Sequence, residues 1–354
     1  MALRLYRTER PFRQNNFDLI RLLAALQVVL FHSIGRLNLH AGAWSVPLSF
    51  FHGVPVFFVA SGFLVSASYE RQRGDERRYF RNRAARIFPG LWVCLFVTLV
   101  VTYVLGFRPH RPADFAWLPA QMCGLIYTPP FLQSFGSGTY NGALWTIPLE
   151  LQFYLVLPLV YRIVLRNRSD RALWWTFGCF LALSLLLARF VPVVIGPGEP
   201  LINKLVRYSF LPQFYLFLYG VVLQRYRAFE LNFIAGKAIP WALLYVAFCY
   251  LSPARPVFLS LGMLLLATSA ISAAYSFSHP GRILRGYDIS YGVYIYHGLI
   301  INLLVTYGAV GSWRYMPLLI TTTLAAAYLS WRFVERPVLH MLRNESPILL
   351  EPAV

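Results

Sequence analysis

The sequence predicts an all-α integral membrane protein of about ten transmembrane helices, with both termini on the cytoplasmic side. Three observations carry this. First, 58% of the 354 residues are hydrophobic and 17% aromatic, while only 13% are charged, about half the charged share of an ordinary soluble domain; the mean hydropathy is +0.54. Second, the apolar residues gather in blocks of about 20, the length a helix needs to cross the hydrocarbon core. Third, the positive charge alternates between successive connecting segments. Lipid leaves an open backbone unsatisfied, so the blocks are expected to be helical.

Ten blocks can be drawn: 17–37, 46–69, 88–106, 142–165, 173–194, 205–224, 238–252, 256–276, 289–310 and 315–334. The first follows a basic N-terminus, carries Arg21 and lacks a small-x-small cleavage site, so it reads as an uncleaved span. The second holds Ser61-Gly62 at mid-span, where small residues favour close helix approach. The third follows the Arg-rich run 70–86, and the fourth carries Glu150. The fifth and sixth are plain apolar blocks. The seventh is short, and Ser252-Pro253 separates it from the eighth, so it reads as a span, a hairpin or a re-entrant piece. The ninth holds His297 among Tyr291, Tyr294 and Tyr296. The tenth ends at Glu335-Arg336-Pro337, read as a helix stop with a local ion pair. Residues 1–345 form one polytopic domain in this reading, with a short tail over 346–354 and no room for a sizeable soluble domain.

The net charge is +18 and the isoelectric point about 10.1. Nucleic-acid binding is rejected because the charges lie in the connections between apolar blocks. With the N-terminus inside, 23 of the 32 Lys and Arg fall in cytoplasmic segments and eight in external ones, the bias that orients membrane proteins. Cys94, Cys123, Cys179 and Cys249 have no CxxC or Cys/His metal spacing, so they read as small buried hydrophobes and no metal is expected. P-loop, GxSxG and HExxH motifs are absent, which removes ATP-driven transport, α/β-hydrolase and zinc-protease readings. No internal repeat is visible. The long external segment 107–141, rich in Pro and Gly, reads equally as an interfacial loop or as a lid.

Ionisable residues inside spans are costly and are functional candidates. In the first block Arg21 and His32 are eleven residues apart. At 100° per residue they share a helix face, about 16 Å apart along the axis, with Asp18 one turn before Arg21. A structural reading stands beside this one: Arg21 snorkels and His32 ties two helices together. Glu150 enters from outside at a depth broadly similar to that of His32. It could orient or charge-stabilise that imidazole, or form a structural tie. His52, near the outer face, and His297 are weaker candidates. The Arg run either sets topology and contacts anionic lipid or forms an anion site, since Arg forks bind phosphate.

Taken in order, these segments resemble the acyltransferase 3 family of bacterial membrane O-acyltransferases. FDLIRLLAALQVVLFH carries an Arg-x10-His pattern on Arg21 and His32. PVFFVASGFLVSASY resembles the second-helix SGF motif. YFRNRAARIFP places Arg81, Arg83 and Arg86, and NGALWTIPLELQFYLVLPL places Glu150, with Thr146-Ile147 where the family has Ser-Leu. YDISYGVYIYHGLI and FVERP match late motifs. The resemblance covers nearly the whole chain and is to stand-alone members without a C-terminal extracellular esterase-like domain. It implies transfer of an acyl group, usually acetyl, from cytosolic acyl-CoA to a hydroxyl of a surface or exported glycan, in the bacterial inner membrane. His32 is then the general base or a transient acyl acceptor, and Glu150 its orienting carboxylate. Arg21 with Asp18, and Arg81, Arg83 and Arg86, bind the CoA phosphates or line its entry. The acceptor stays open between polysaccharide, lipopolysaccharide, oligosaccharide and small glycoside. Two other readings stand beside it: a transporter or flippase using the buried charges as a proton or substrate path, and a structural subunit of envelope assembly.

Overall fold

The protein is seen in a computed structural model that describes residues 12, 15–72, 75–165, 170–191, 200–252, 256–276, 284 and 287–344. The predicted tail 346–354, His279 and Arg255 lie outside the described residues. Among these residues the chain is helical and forms no strand. The helices are α1 (Phe17–Arg36), α2 (Val46–Phe50), α3 (Gly53–Arg71), α4 (Glu76–Val104), α5 (Pro112–Phe115), α6 (Trp117–Met122), α7 (Thr146–Leu159), α8 (Asp170–Phe190), α9 (Leu201–Arg207), α10 (Phe214–Arg225), α11 (Ala238–Leu251), α12 (Pro256–Ala274), α13 (Ser290–Thr306), α14 (Met316–Ser330) and α15 (Arg336–Asn344). Among the described residues each apolar block is largely helical. Among the described residues six helical stretches are long and apolar enough to cross a membrane: α1, α3, α4, Gly142–Leu165, α8 and α12. The chain is an integral membrane protein.

Helix α13 is the axis of the bundle. Every residue from Ser290 to Asn302 is buried, as expected for a helix that is apolar on all sides. Helix α1 packs along α13, and α3 packs against both α1 and α10. The α3–α10 crossing depends on two glycines. A Cβ on Gly62 would strike the carbonyl of Phe217, and one on Gly220 would strike that of Val59. Helices in lipid associate through such close backbone approach. Gly62→Val is expected to cost about 1–3 kcal/mol and to lower the unfolding temperature in detergent. An unchanged midpoint would show that the two backbones can part freely.

Four segments differ from the sequence-based expectation. The Arg run is not a loop: from Glu76 onward it forms the first turns of α4, capped by Asp75, which accepts from Arg78 N at 3.0 Å. At about 1.5 Å per residue, the 29 residues of α4 exceed a hydrocarbon core of about 30 Å. The Arg-bearing turns therefore extend the helix beyond its apolar part. The sixth block breaks into α9 and α10 at a turn containing Pro212, because proline restricts the residue before it and cannot donate. Glu335 does not stop a helix. The segment Trp331–Glu335 is a π turn leading into α15, whose first turn accepts Pro337. Among the cysteines only Cys94 is buried, while Cys123 and Cys179 are exposed; all four are free thiols.

The segment 107–141 folds into a cap. Trp117, Gln121, Leu132, Phe135 and Tyr140 are buried, and Trp117 and Gln121 both donate to Tyr127 O. The cap rests on the far end of α13 through Asn302, whose Nδ2 donates to the carbonyls of Thr139 and Tyr140 at 2.7 and 2.8 Å. Its Oδ1 accepts from Ser137 N and Oγ. Gly136 sits at φ +59°, and a Cβ there would collide with the Asn302 side chain.

Candidate active site

Two polar groups lie at opposite ends of the α1–α13 contact. The helical register predicted for Arg21 and His32 is realised, since both turn toward the same partner. Arg21 meets Asp288, two residues before α13, and His32 meets His297 within α13.

At the first end, Arg21 Nη1 and Arg86 Nη2 both donate to Oδ2 of Asp288. Ser290 N and Oγ donate to its Oδ1 at 3.3 and 2.5 Å. Glu335, 1% exposed, lies 3.9 Å from Arg86 Nη1, and its Oε1 accepts from Ser330. Asp18 is within electrostatic reach of Arg21, Arg86 and Asp288. Burial acts to raise the Asp288 carboxyl, but the guanidiniums of Arg21 and Arg86 and the Ser290 bonds outweigh it and hold the group below the ordinary carboxylate range. A depressed carboxyl adds stability above its unfolded pKa of about 3.9 and loses it as pH falls through the folded value. Asp288→Asn is therefore expected to lower the unfolding temperature at neutral pH, with the gap to wild type closing well below about pH 4. A gap independent of pH would separate the effect from charge.

Arg83 and Arg86, one turn apart on α4, face a cavity of about 90 Å³, several times what one water needs. Arg21, Ser61, Thr146, Glu150, Tyr154, Tyr291 and Tyr294 contribute polar groups to its wall. Val54, Phe57, Phe58, Leu64, Val65, Ile87 and Ile147 make the apolar wall. Arg83 stacks over Tyr154, Cζ to ring centroid 5.7 Å, and its buried Nε has no acceptor. Arg81 points outward and is exposed. Tyr154 donates to Glu150 Oε1. Of the two readings of Glu150, behind His32 or in a structural tie, the bond the structure gives it is to Tyr154, one helical turn away on α7. Thr146 keeps the hydroxyl that Ser would offer, and it lies 2.8 Å from Tyr294 Oη.

At the other end, His32 Nδ1 lies 2.9 Å from His297 Nε2, with ring centroids 5.2 Å apart. His297 Nδ1 lies 3.2 Å from Val293 O. His297 is fully buried, and Tyr294 packs edge-on against it at 6.0 Å. Tyr294, which packs on His297, also lines the cavity. Arg36, one turn beyond His32, donates to Ser137 of the cap at 3.1 Å. His52 stands at the N-cap of α3 and does not line the cavity. Among the described residues no three His, Cys, Asp or Glu are placed to hold a metal.

Two groups of the site carry little signal in the sequence. Asp288 is an acid just before an apolar helix, the one local signal for it. His297 reads in the sequence only as a weaker candidate, because its partner lies 265 residues away.

A family model described as an acyltransferase domain, acyltransferase 3, matches residues 14–332, a range that includes both polar groups except Glu335. The chain is 31% identical to Nodulation protein 10 of Rhizobium leguminosarum bv. viciae, over 93% of this chain and 94% of that protein. It is 25% identical to an O-acetyl transferase of Shigella phage Sf6, over 95% and 98% of the two chains. It is also 25% identical to the peptidoglycan O-acetyltransferase OatA of Listeria monocytogenes, over 91% of this chain but only 55% of that longer protein. No solved structure matches the chain. With the match running through both ends of the α1–α13 contact, the chain belongs to the acyltransferase 3 family and is an acyltransferase.

Proposed function

We propose that this protein transfers an acyl group, acetyl by preference, from acyl-CoA at the cytoplasmic side to a hydroxyl of a cell-surface or exported glycan, with His32 as general base. In this reading the chain crosses the bacterial inner membrane ten times, with both termini in the cytoplasm. One observation supports it above the others: a single helix face links a guanidinium-lined cavity to an imidazole about 16 Å further along. Two relatives bear the names peptidoglycan O-acetyltransferase and O-acetyl transferase, which supports an acetyl group and a saccharide acceptor.

The donor site follows from the cavity. Arg83 offers a buried donor without an acceptor, a costly state that an anion relieves. Arg21 and Arg86 add charge to the same wall, Asp18 balances Arg21, and Arg81 stands at the entry. The apolar wall suits the uncharged arm of the donor. Glu150, through Tyr154, holds the donor wall beneath Arg83.

At the reacting centre, the acceptor oxygen attacks the thioester carbonyl and a C–O bond forms. His32 takes the hydroxyl proton. The C–S bond breaks, and the leaving sulfur recovers the proton from His32. A neutral imidazole suits both transfers at physiological pH.

The direct test uses protein in liposomes with radiolabelled acetyl-CoA and a crude surface-glycan extract. CoA release together with label on the glycan is expected. If no short acyl-CoA supports transfer to any of several extracts, the donor assignment is wrong.

A further inference from the structure

The geometry points to His297 as a positioning residue that sets the tautomer of His32, leaving Nε2 of His32 as the atom that accepts the proton. The inference rests on the reading of His32 as the base. It follows from hydrogen-bond polarity. A carbonyl oxygen only accepts, so the 3.2 Å contact from His297 Nδ1 to Val293 O requires a proton on Nδ1. The opposite tautomer would set a nitrogen lone pair against the carbonyl lone pairs. A neutral imidazole carries one ring proton, so Nε2 of His297 is bare and accepts. Its partner at 2.9 Å, His32 Nδ1, must then be the donor. By the same count His32 Nε2 has no proton.

The surroundings hold this order in place. Val293 lies one turn before His297 on α13, so the acceptor carbonyl is part of the most buried helix. Tyr294 packs against the His297 ring and is itself held by Thr146. When His32 takes a proton at Nε2, its Nδ1 proton stays on His32 and remains donated to His297 Nε2, so the second ring supports the cation without a proton of its own moving. A second histidine here fills the role usually given to a carboxylate behind a catalytic imidazole. In a buried site an uncharged acceptor orients the base without the desolvation cost of another charge.

The first readout needs no variant. NMR of the protein with ¹⁵N-labelled histidine, assigned with the single-site substitutions, separates protonated from bare ring nitrogens. Bare Nε2 and protonated Nδ1 are expected on both rings; a proton on Nε2 of neutral His32 overturns the proposal. The second readout is kinetic. His297→Leu removes the acceptor and should lower kcat by about 100-fold or more, with the donor KM changed less than about twofold. This is a milder form of the loss seen when a triad base is held in the wrong tautomer. His297→Gln, whose Oε1 reaches the position of Nε2, should recover to within about tenfold of wild type. Wild-type kcat in His297→Leu, or a His297→Gln as slow as His297→Leu with the wild-type unfolding temperature, overturns the proposal. If His297→Leu fails to fold, the NMR result decides. The two readings fail separately: turnover in His32→Ala removes the base, while the tautomers are read without turnover.

Discussion

Replacing His32 with alanine is expected to lower acyl transfer by about 10²–10⁴-fold, the range for loss of a positioned general base, while donor binding and folding persist. The reason lies in what the side chain touches. His32 bonds to His297 alone among the contacts described for its ring nitrogens, so its loss leaves one buried neutral nitrogen unpaired, a cost of about 1–3 kcal/mol. The cavity wall of Arg21, Arg83 and Arg86, the proposed donor site, lies at the other end of the helix contact and is untouched. The check is turnover of radiolabelled acetyl-CoA beside the unfolding temperature and donor binding of the same preparation. Near-normal turnover in His32→Ala would remove the base assignment. Lost turnover with lost donor binding would place His32 at the donor instead.

The second large effect separates two neighbouring arginines. Arg83→Ala removes a guanidinium whose buried Nε has no acceptor in the protein. It should raise the donor KM by about 10–100-fold, the worth of one charged hydrogen bond, and leave the unfolding temperature within a degree or two. Arg86→Ala does more. It strips a partner from Asp288 and takes from Glu335, 1% exposed, its ion-pair partner among the described residues. Breaking a buried pair from one side costs about 3–5 kcal/mol, so this variant should unfold at distinctly lower temperature besides using donor poorly. Acceptor dependence should be little changed in both. If both variants keep the wild-type acyl-CoA dependence, the donor site lies elsewhere.

The contrast between these arginines was only half visible in the chain. The run from Glu70 to Arg86 announced an anion site or a topology signal, and no property of a charge run distinguishes one arginine from the next. Folding it as the start of α4 does so. The helical period turns Arg83 and Arg86 inward and leaves Arg81 exposed. Asp288, 267 residues from Arg21 and 202 from Arg86, then decides which of them is neutralised. Glu150 shows the same limit. Its depth in the fourth block was readable, but depth does not specify a neighbour, and Tyr154 one turn along its own helix meets it first.

The sequence by itself determined the membrane class, the helical blocks and the shared face of Arg21 and His32. These are local properties: hydropathy summed over about 20 residues, and a fixed 100° turn per residue. The tertiary structure alone decided that His32 meets His297, that one carboxylate holds two arginines, and that the 107–141 segment closes over the end of α13. Helix α13 is apolar nearly all round, so its own pattern does not say which side faces which neighbour. That choice rests on packing between helices far apart in the chain, where small residues such as Gly62 and Gly220 let backbones meet.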